Sequence, residues 1–452
     1  MRGICLTLPT NRPCAATIAA VGAEADYAAD RFDNDVHLLI LDSCAPSVYA
    51  EHAEAVRHLP RSPRLTVHHV DEARQRDFLA RVVERARSAK AELLLDLLLP
   101  DGVSYGACTD RAFLYAAALG CESVHRRDSD SRYQTVHGRP VFPVHHELMS
   151  LGKPAAQAAR GVSETALTQE QSSRRVALVG SSFIGELSVD IGGILAADPE
   201  VYRDVVSLWA PAGWSAEQKR ELAAESFRGA GTQPFERDHS LLTLVDPMRV
   251  DMCNVSFHGV HEQVPLPPAR DTIGSDYFLL HLVRNAGLPG VLHNRNIVNH
   301  HTAERRTDTG FLAYQSRFAK FLLSMLYLHH IYDRMAEAGD SLLDERGRIR
   351  AGTVAAFARE ATRLDTAENL QRLDALEAAY RRLGGRYAAF ADRLAARRER
   401  LLAEARSDIE DFALLTEVWS ELVAAARHTA PSPPPGPPPG AASGSGLPGV
   451  SR

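Results

Sequence analysis

Long apolar runs are missing from this 452-residue chain. The most apolar stretch, Leu93-Leu94-Leu95-Asp96-Leu97-Leu98-Leu99, falls far short of the roughly 20 residues that cross a bilayer, so no membrane span is expected. Met1 to Leu8 are apolar too briefly for a signal peptide, and Pro9-Thr10-Asn11-Arg12-Pro13 break them. They read as a first buried strand. Cysteine is sparse: Cys5, Cys14, Cys44, Cys108, Cys121 and Cys253 form no C-x-x-C pair, which excludes a zinc ribbon or a disulfide framework. They read as reduced, mostly buried thiols of a cytoplasmic protein. Positive charge is in deficit, with 51 Lys+Arg against 57 Asp+Glu and a net charge of -6. Bulk attraction to nucleic acid is not expected.

Several catalytic signatures are absent as well. No G-x-G-x-x-G follows a strand, which disfavours a nicotinamide enzyme, and there is no G-x-S-x-G elbow. Gly180-Ser181-Ser182-Phe183-Ile184-Gly185-Glu186 has Walker-like glycine spacing without the Lys-Ser/Thr. It reads as a small-residue turn near a pocket. His145-His146-Glu147 lacks the helical H-E-x-x-H spacing and reads as a surface or supporting cluster.

What remains is ordinary globular composition, 45% hydrophobic and 24% charged, in a chain long enough for two or three domains. Heavy use of Ala and Arg suggests a GC-rich bacterial genome. Residues 1–150 alternate strands with helices, which predicts a mostly parallel sheet covered on both faces. Strands are expected at Ile4–Leu8, Val36–Leu41, Arg64–Val70 and Ser123–His125. Residues 151–309 are mixed, with strands expected near Arg175–Val179, Leu241–Val245 and Asp251–Phe257. Residues 310–428 are helical, opening on an apolar stripe of Phe311, Tyr314, Phe318, Phe321, Leu322, Met325 and Leu326. This segment reads as a helical cap; the sharper alternative is a homodimer or partner surface. Residues 429–452, rich in Pro, Gly and Ser, are expected to be a disordered tail.

Ligands of an open parallel sheet bind at the carboxyl ends of its strands. After the first strand comes Pro9-Thr10-Asn11-Arg12, after the second Asp42-Ser43, and after the strand near Val124 comes Arg126-Arg127-Asp128-Ser129-Asp130. Two carboxylates two residues apart suit a hard divalent cation that keeps open positions for phosphates. The neighbouring Arg126, Arg127 and Arg132 suit phosphate binding or the holding of those carboxylates in ionised form.

These segments resemble glycosyltransferases of the glycosyltransferase-A fold, especially the family-2-like group. Leu8-Pro9-Thr10-Asn11-Arg12 resembles their opening strand and turn, and Leu41-Asp42-Ser43 their second strand. Gly106 to Ala112 with Ala118-Leu119-Gly120 resembles a helix carrying an Arg-Asn pair, and Asp128-Ser129-Asp130 falls at the Asp-x-Asp metal motif. Asn254 to His258, Gly274-Ser275-Asp276-Tyr277 and Val298-Asn299-His300-His301 resemble the acceptor-side segments. The resemblance covers residues 4–302. It departs at Ser275, where the family often has Glu, and at Asp110-Arg111, which replaces Arg-Asn. The long interval from Asp130 to Asp276 predicts an insertion around residues 145–245.

The resemblance implies that residues 1–150 bind a nucleotide-diphosphate sugar and residues 151–309 form the acceptor side. It implies Asp130 as direct ligand of Mn²⁺ or Mg²⁺, with Asp128 on the sugar, the ribose or the metal, and His300 or His301 completing the metal site. Pro9, Thr10, Asn11, Arg12, Asp42 and Arg111 would meet the donor. Asp276 would be the base that activates an acceptor hydroxyl, with inversion at the sugar. The rival readings are a nucleotidyltransferase and a catalytically silent sugar-nucleotide-binding or scaffold protein of the same fold. The acceptor is not named by the sequence.

Overall fold

The structure, a computed structural model, describes residues 3–187, 191–299 and 307–431. The first half follows the alternation closely. Strands β1 (Ile4–Thr10), β2 (Val36–Asp42), β3 (Leu65–Asp71) and β4 (Ser123–Arg127) lie parallel in the order β3-β2-β1-β4. Helices α1 (Ala15–Phe32), α2 (Pro46–Arg57), α3 (Glu72–Ala86), α4 (Ala91–Leu98) and α5 (Tyr105–Ala118) connect them. Two helix starts show why they begin where they do: the Asp71 side chain accepts from the Arg74 N–H, and the Ser104 hydroxyl from the Ala107 N–H.

The second half adds short strands. β5 (Arg132–Tyr133), β6 (Thr135–Val136) and β7 (Arg139–Pro140) follow β4. Then come β8 (Glu164–Thr165), β9 (Leu178–Gly180), β10 (Phe183–Gly185), β11 (Ser240–Thr243), β12 (Asn254–His258), β13 (Gly290–His293) and β14 (Ile297–Asn299). The nine-stranded sheet runs β3-β2-β1-β4-β12-β9-β13-β11-β8. It is mostly parallel; β12 runs antiparallel to both β4 and β9, and β13 antiparallel to β11. This is the expected α/β class, a mostly parallel sheet flanked by helices with a helical C-terminal part. Of the acceptor-side segment Val298 to His301, the described residues Val298 and Asn299 end β14, which pairs with β10 and β5 in a separate three-stranded sheet.

Side chains alternate across a strand, and β2 feeds a different core on each face. Leu38 and Ile40 join Leu6, Leu8 and the α1 residues Ile18 and Val21. Leu39 and Leu41 join a larger core that includes Phe78, Leu79 and Val82 of α3. That larger core continues into the C-terminal helices through Phe412 and Trp419. The Trp419 indole is fully buried and donates to the His261 carbonyl at 3.0 Å. The helix Arg398–Arg427 packs on α3 and α5, the helix Asp308–Ala338 packs against it and against Phe278–Asn285, and the predicted stripe from Phe311 to Met325 is buried among these helices.

Candidate functional site

β1 and β4 are parallel neighbours, so the loops that follow them emerge at one edge. Alternation on β4 sends Arg126 one way, and His125 and Arg127 the other. Arg127 is fully buried and pairs with Glu24 of α1 through two bonds of 2.8 and 2.9 Å, and with Glu147 at 3.1 Å. His125 meets the same Glu147 at 2.7 Å. Burial alone would raise the Glu147 carboxyl; Arg127 and His125 outweigh it and hold it at about 2. His145-His146-Glu147 is therefore no surface cluster. Its glutamate is the counter-charge that fixes β4 from behind.

Arg126 faces the site. It reaches Asp128 at 3.1 Å and Asp276 at 2.6 Å. The loop after β4 is closed by the Asp128 N–H on the Ser131 hydroxyl (3.2 Å), the Ser131 N–H on the Asp128 carbonyl (3.0 Å) and the Thr17 hydroxyl on the Ser129 carbonyl (2.8 Å). It presents Asp128 and Asp130 with side chains 28% and 16% exposed. Arg12, on the loop after β1, reaches Asp130 at 3.2 Å. Thr10 locks that loop, its hydroxyl donating to the Arg12 carbonyl at 2.9 Å.

Two cavities meet here. One is polar and lined by Pro9, Thr10, Asn11, Arg12 and Arg111. The other, walled largely by apolar and aromatic side chains, includes Asp251, Asp276 and Tyr277. Tyr105, Asp128 and Asp130 line both. Desolvation, reinforced by Asp130, Asp251 and Asp276 and opposed by Arg126, pushes the Asp128 carboxyl up to about 6.

Most of the expected site residues converge on this junction. Arg111 lines the polar cavity and also locks the chain, donating to the Leu98 carbonyl at 2.7 Å. Asp42 does not reach the cavity wall, although Leu41 and Ser43 on either side of it do. Its carboxylate, fully buried, takes bonds from His52 (2.7 Å), His69 (2.8 Å) and the Cys44 N–H (3.0 Å). Burial would raise it, but those bonds hold it far below the usual carboxylate range. Asp42, Cys44 and His52 offer ligand atoms within 4.8 Å of one another. A metal is nonetheless disfavoured there: His52 Nε2 accepts the Cys14 N–H at 2.9 Å, which leaves its proton on Nδ1 facing Asp42. Burial and Asp42 also raise the Cys44 thiol, so it keeps its proton. Asp276 sits in the one-turn segment Ser275–Tyr277 before the helix Phe278–Asn285 and caps nothing; its partner is Arg126. His300 and His301 lie outside the described residues.

Sequence reasoning passed over Asp251. β12 runs antiparallel to β4 with Asn254 opposite Arg127, so the residues that precede β12 lie beside those that follow β4. A search confined to the carboxyl ends of parallel strands misses this position. Asp251 accepts from the Tyr277 hydroxyl at 2.6 Å and from the Cys253 N–H at 3.0 Å. The aromatic cavity wall was missed too. It comes from Trp209 and Phe227, within the expected insertion, and from Tyr314, Phe321 and Tyr332 on the Asp308–Ala338 helix. Gly180 to Gly185, read as a turn, is instead the end of β9 and all of β10 joined by Ser181 and Ser182, with Ser182 and Phe183 on the cavity wall.

No curated protein matches the chain. Among solved structures, a mycobacterial protein is 15% identical over 73% of this chain and 74% of that one, with a TM-score of 0.32. Mannosyltransferase PcManGT from Pyrobaculum calidifontis, in complex with GDP-Man and Mn2+, is 10% identical over 92% of this chain and 87% of that one, with a TM-score of 0.33. Likenesses this slight decide nothing about substrate or mechanism. Sequence likeness is stronger at the level of family: over residues 2–434 the chain matches, and so belongs to, the Family of unknown function (DUF6271).

Proposed function

We propose that the protein is a metal-dependent glycosyltransferase that moves a sugar from a nucleotide-diphosphate donor to an acceptor hydroxyl. The observation that carries this reading is the pair Asp128 and Asp130 at the junction of a polar and an apolar cavity. The donor set fits a hard cation: two partly exposed carboxylates two residues apart, with further carboxylates crowding Asp128. Asp128 and Asp130 would hold Mn²⁺ or Mg²⁺, which would supply Lewis-acid stabilisation of the charge that grows on the leaving diphosphate.

The polar cavity holds the nucleotide diphosphate. Arg12 adds positive charge beside Asp130, and Pro9 to Asn11 shape the wall. Asp42 acts from below by fixing the end of β2. The acceptor enters from the apolar cavity. Its hydroxyl oxygen bonds to the anomeric carbon as the sugar–phosphate bond breaks, and its proton passes to a carboxylate. The resemblance assigns that role to Asp276. A proton arriving on Asp276 would strip a counter-charge from the buried Arg126. We therefore assign proton acceptance to Asp251, whose partners include the neutral Tyr277 hydroxyl and the Cys253 N–H and thiol. Asp276 holds Arg126 in place. In-line displacement with such a base inverts the anomeric centre.

Incubation with a panel of nucleotide sugars and Mn²⁺, read as release of nucleoside diphosphate, tests the reading. Turnover of one donor by the wild type, lost in Asp130→Ala, is expected. No release from any donor would contradict it.

A further inference from the structure

The apolar cavity has a definite chemical character. Trp209, Phe227 and Phe321 form a triangle of rings, with centroid separations of 6.4, 6.2 and 6.4 Å. His281 lies flat on Tyr332 at 3.8 Å in the same cavity. Backbone geometry supports the triangle. Phe227 is held at φ 64°, a region a bulky side chain rarely adopts. Gly274 sits at φ 75°, where a Cβ would meet the Phe321 ring at 2.8 Å. Met248, 40% exposed, forms an apolar lip.

Its charge is one-sided. Asp128, Asp130, Glu225, Asp251 and Asp276 line it, and among the described residues no Lys or Arg does. His281 brings no positive charge near neutral pH, because burial pushes it down to about 3. Away from the cation that Asp128 and Asp130 would hold, an anionic ligand would lose its water here and gain no Lys or Arg partner among the described lining residues. A flat apolar one would exchange water for ring faces.

We infer that this cavity binds a flat, apolar hydroxyl compound that carries no anionic group, and that this compound is the acceptor, the second statement resting on the transferase reading. Recognition comes from the ring triangle and the Met248 lip, and the carboxylates exclude sugar phosphates and carboxylated acceptors.

Calorimetric titration of the full chain with naphthol and with hydroxynaphthoic acid, a neutral and an anionic probe of the same shape, tests it. Naphthol is expected to bind and the anion to bind at least about tenfold more weakly. Phe227→Ala should weaken naphthol about tenfold. Met248→Asp, at an exposed position, should weaken it too. Equal or better binding of the anion, no naphthol binding, or naphthol binding indifferent to both variants would overturn the inference. GDP and UDP with Mn²⁺ are titrated into the same samples. Nucleotide binding without naphthol overturns the inference and leaves the transferase reading standing. Naphthol binding without any nucleotide keeps the cavity's ligand class and removes its role as acceptor.

Discussion

Arg126 donates to Asp276 at 2.6 Å, tying the end of β4 to a turn 150 residues further along the chain. Both side chains are almost fully buried, and the same guanidinium reaches Asp128 at 3.1 Å. Burial would lower the Arg126 guanidinium, but Asp128 and Asp276 raise it well above its usual value. Its charge is therefore permanent. It holds one carboxylate of the Asp-x-Asp loop and one of the acceptor-side cavity in a single register.

Removing that charge leaves buried carboxylates uncompensated. Arg126→Leu is expected to cost about 3–5 kcal/mol, read as a lower urea midpoint. Adding Asp276→Asn to Arg126→Leu should recover part of the loss, because the double variant strands one anion fewer. Strict additivity would show that the pair is not coupled.

Acid should destabilise the protein before most of its carboxylates titrate. Burial holds His261 and His281 down to about 3 in the folded chain, against about 6.5 when unfolded. Below about pH 6.5 the unfolded state binds protons that the folded state refuses. Stability then falls by up to about 1.4 kcal/mol per pH unit for each such histidine. Unfolding midpoints should drop between pH 7.5 and 5.5, and less so in His261→Phe. Glu147 acts lower, its contribution present above about pH 4.5 and lost as pH falls toward 2.

The α/β half was legible because its signals are local. The apolar runs of β1 and β2 and the spacing of Phe78, Leu79, Val82 and Val83 all report on near neighbours, although β1 runs on through Pro9 to Thr10 where a break was expected. The edge residues Pro9 to Arg12, Asp128 and Asp130 followed from that layout. The rest depends on pairings that periodicity does not encode. Arg126 and Arg127 read as loop residues, yet they close β4 and face opposite ways. Asp251 became visible once β12 proved antiparallel to β4. The stripe on the Asp308–Ala338 helix announced burial, but not that Tyr314 and Phe321 would wall a cavity.

Gly274→Ala tests how closely the turn before Asp276 is fitted to that wall. Its Cβ would press on the Phe321 ring from a backbone at φ 75°. A loss of about 1–3 kcal/mol is expected, with weaker naphthol binding and unchanged nucleotide binding. An unperturbed naphthol affinity would show that Phe321 does not shape the cavity.

Asp251→Asn separates base from scaffold. The amide can still accept from Tyr277 and from the Cys253 N–H, but it takes no proton. The transfer rate should fall about a hundredfold or more, with the affinity for nucleotide unchanged. Asp276→Asn should instead lower stability through Arg126. A larger rate loss in a stably folded Asp276→Asn than in Asp251→Asn would return the base to Asp276.

The most direct test of the account is calorimetric titration of UDP, GDP and their sugar conjugates, with and without Mn²⁺, into wild type and Asp130→Ala. The account predicts binding of one nucleotide series that requires the metal and is lost in the variant. Absence of binding by every nucleotide, with or without metal, would contradict the donor site at Asp128 and Asp130 and leave the protein without a transferase centre.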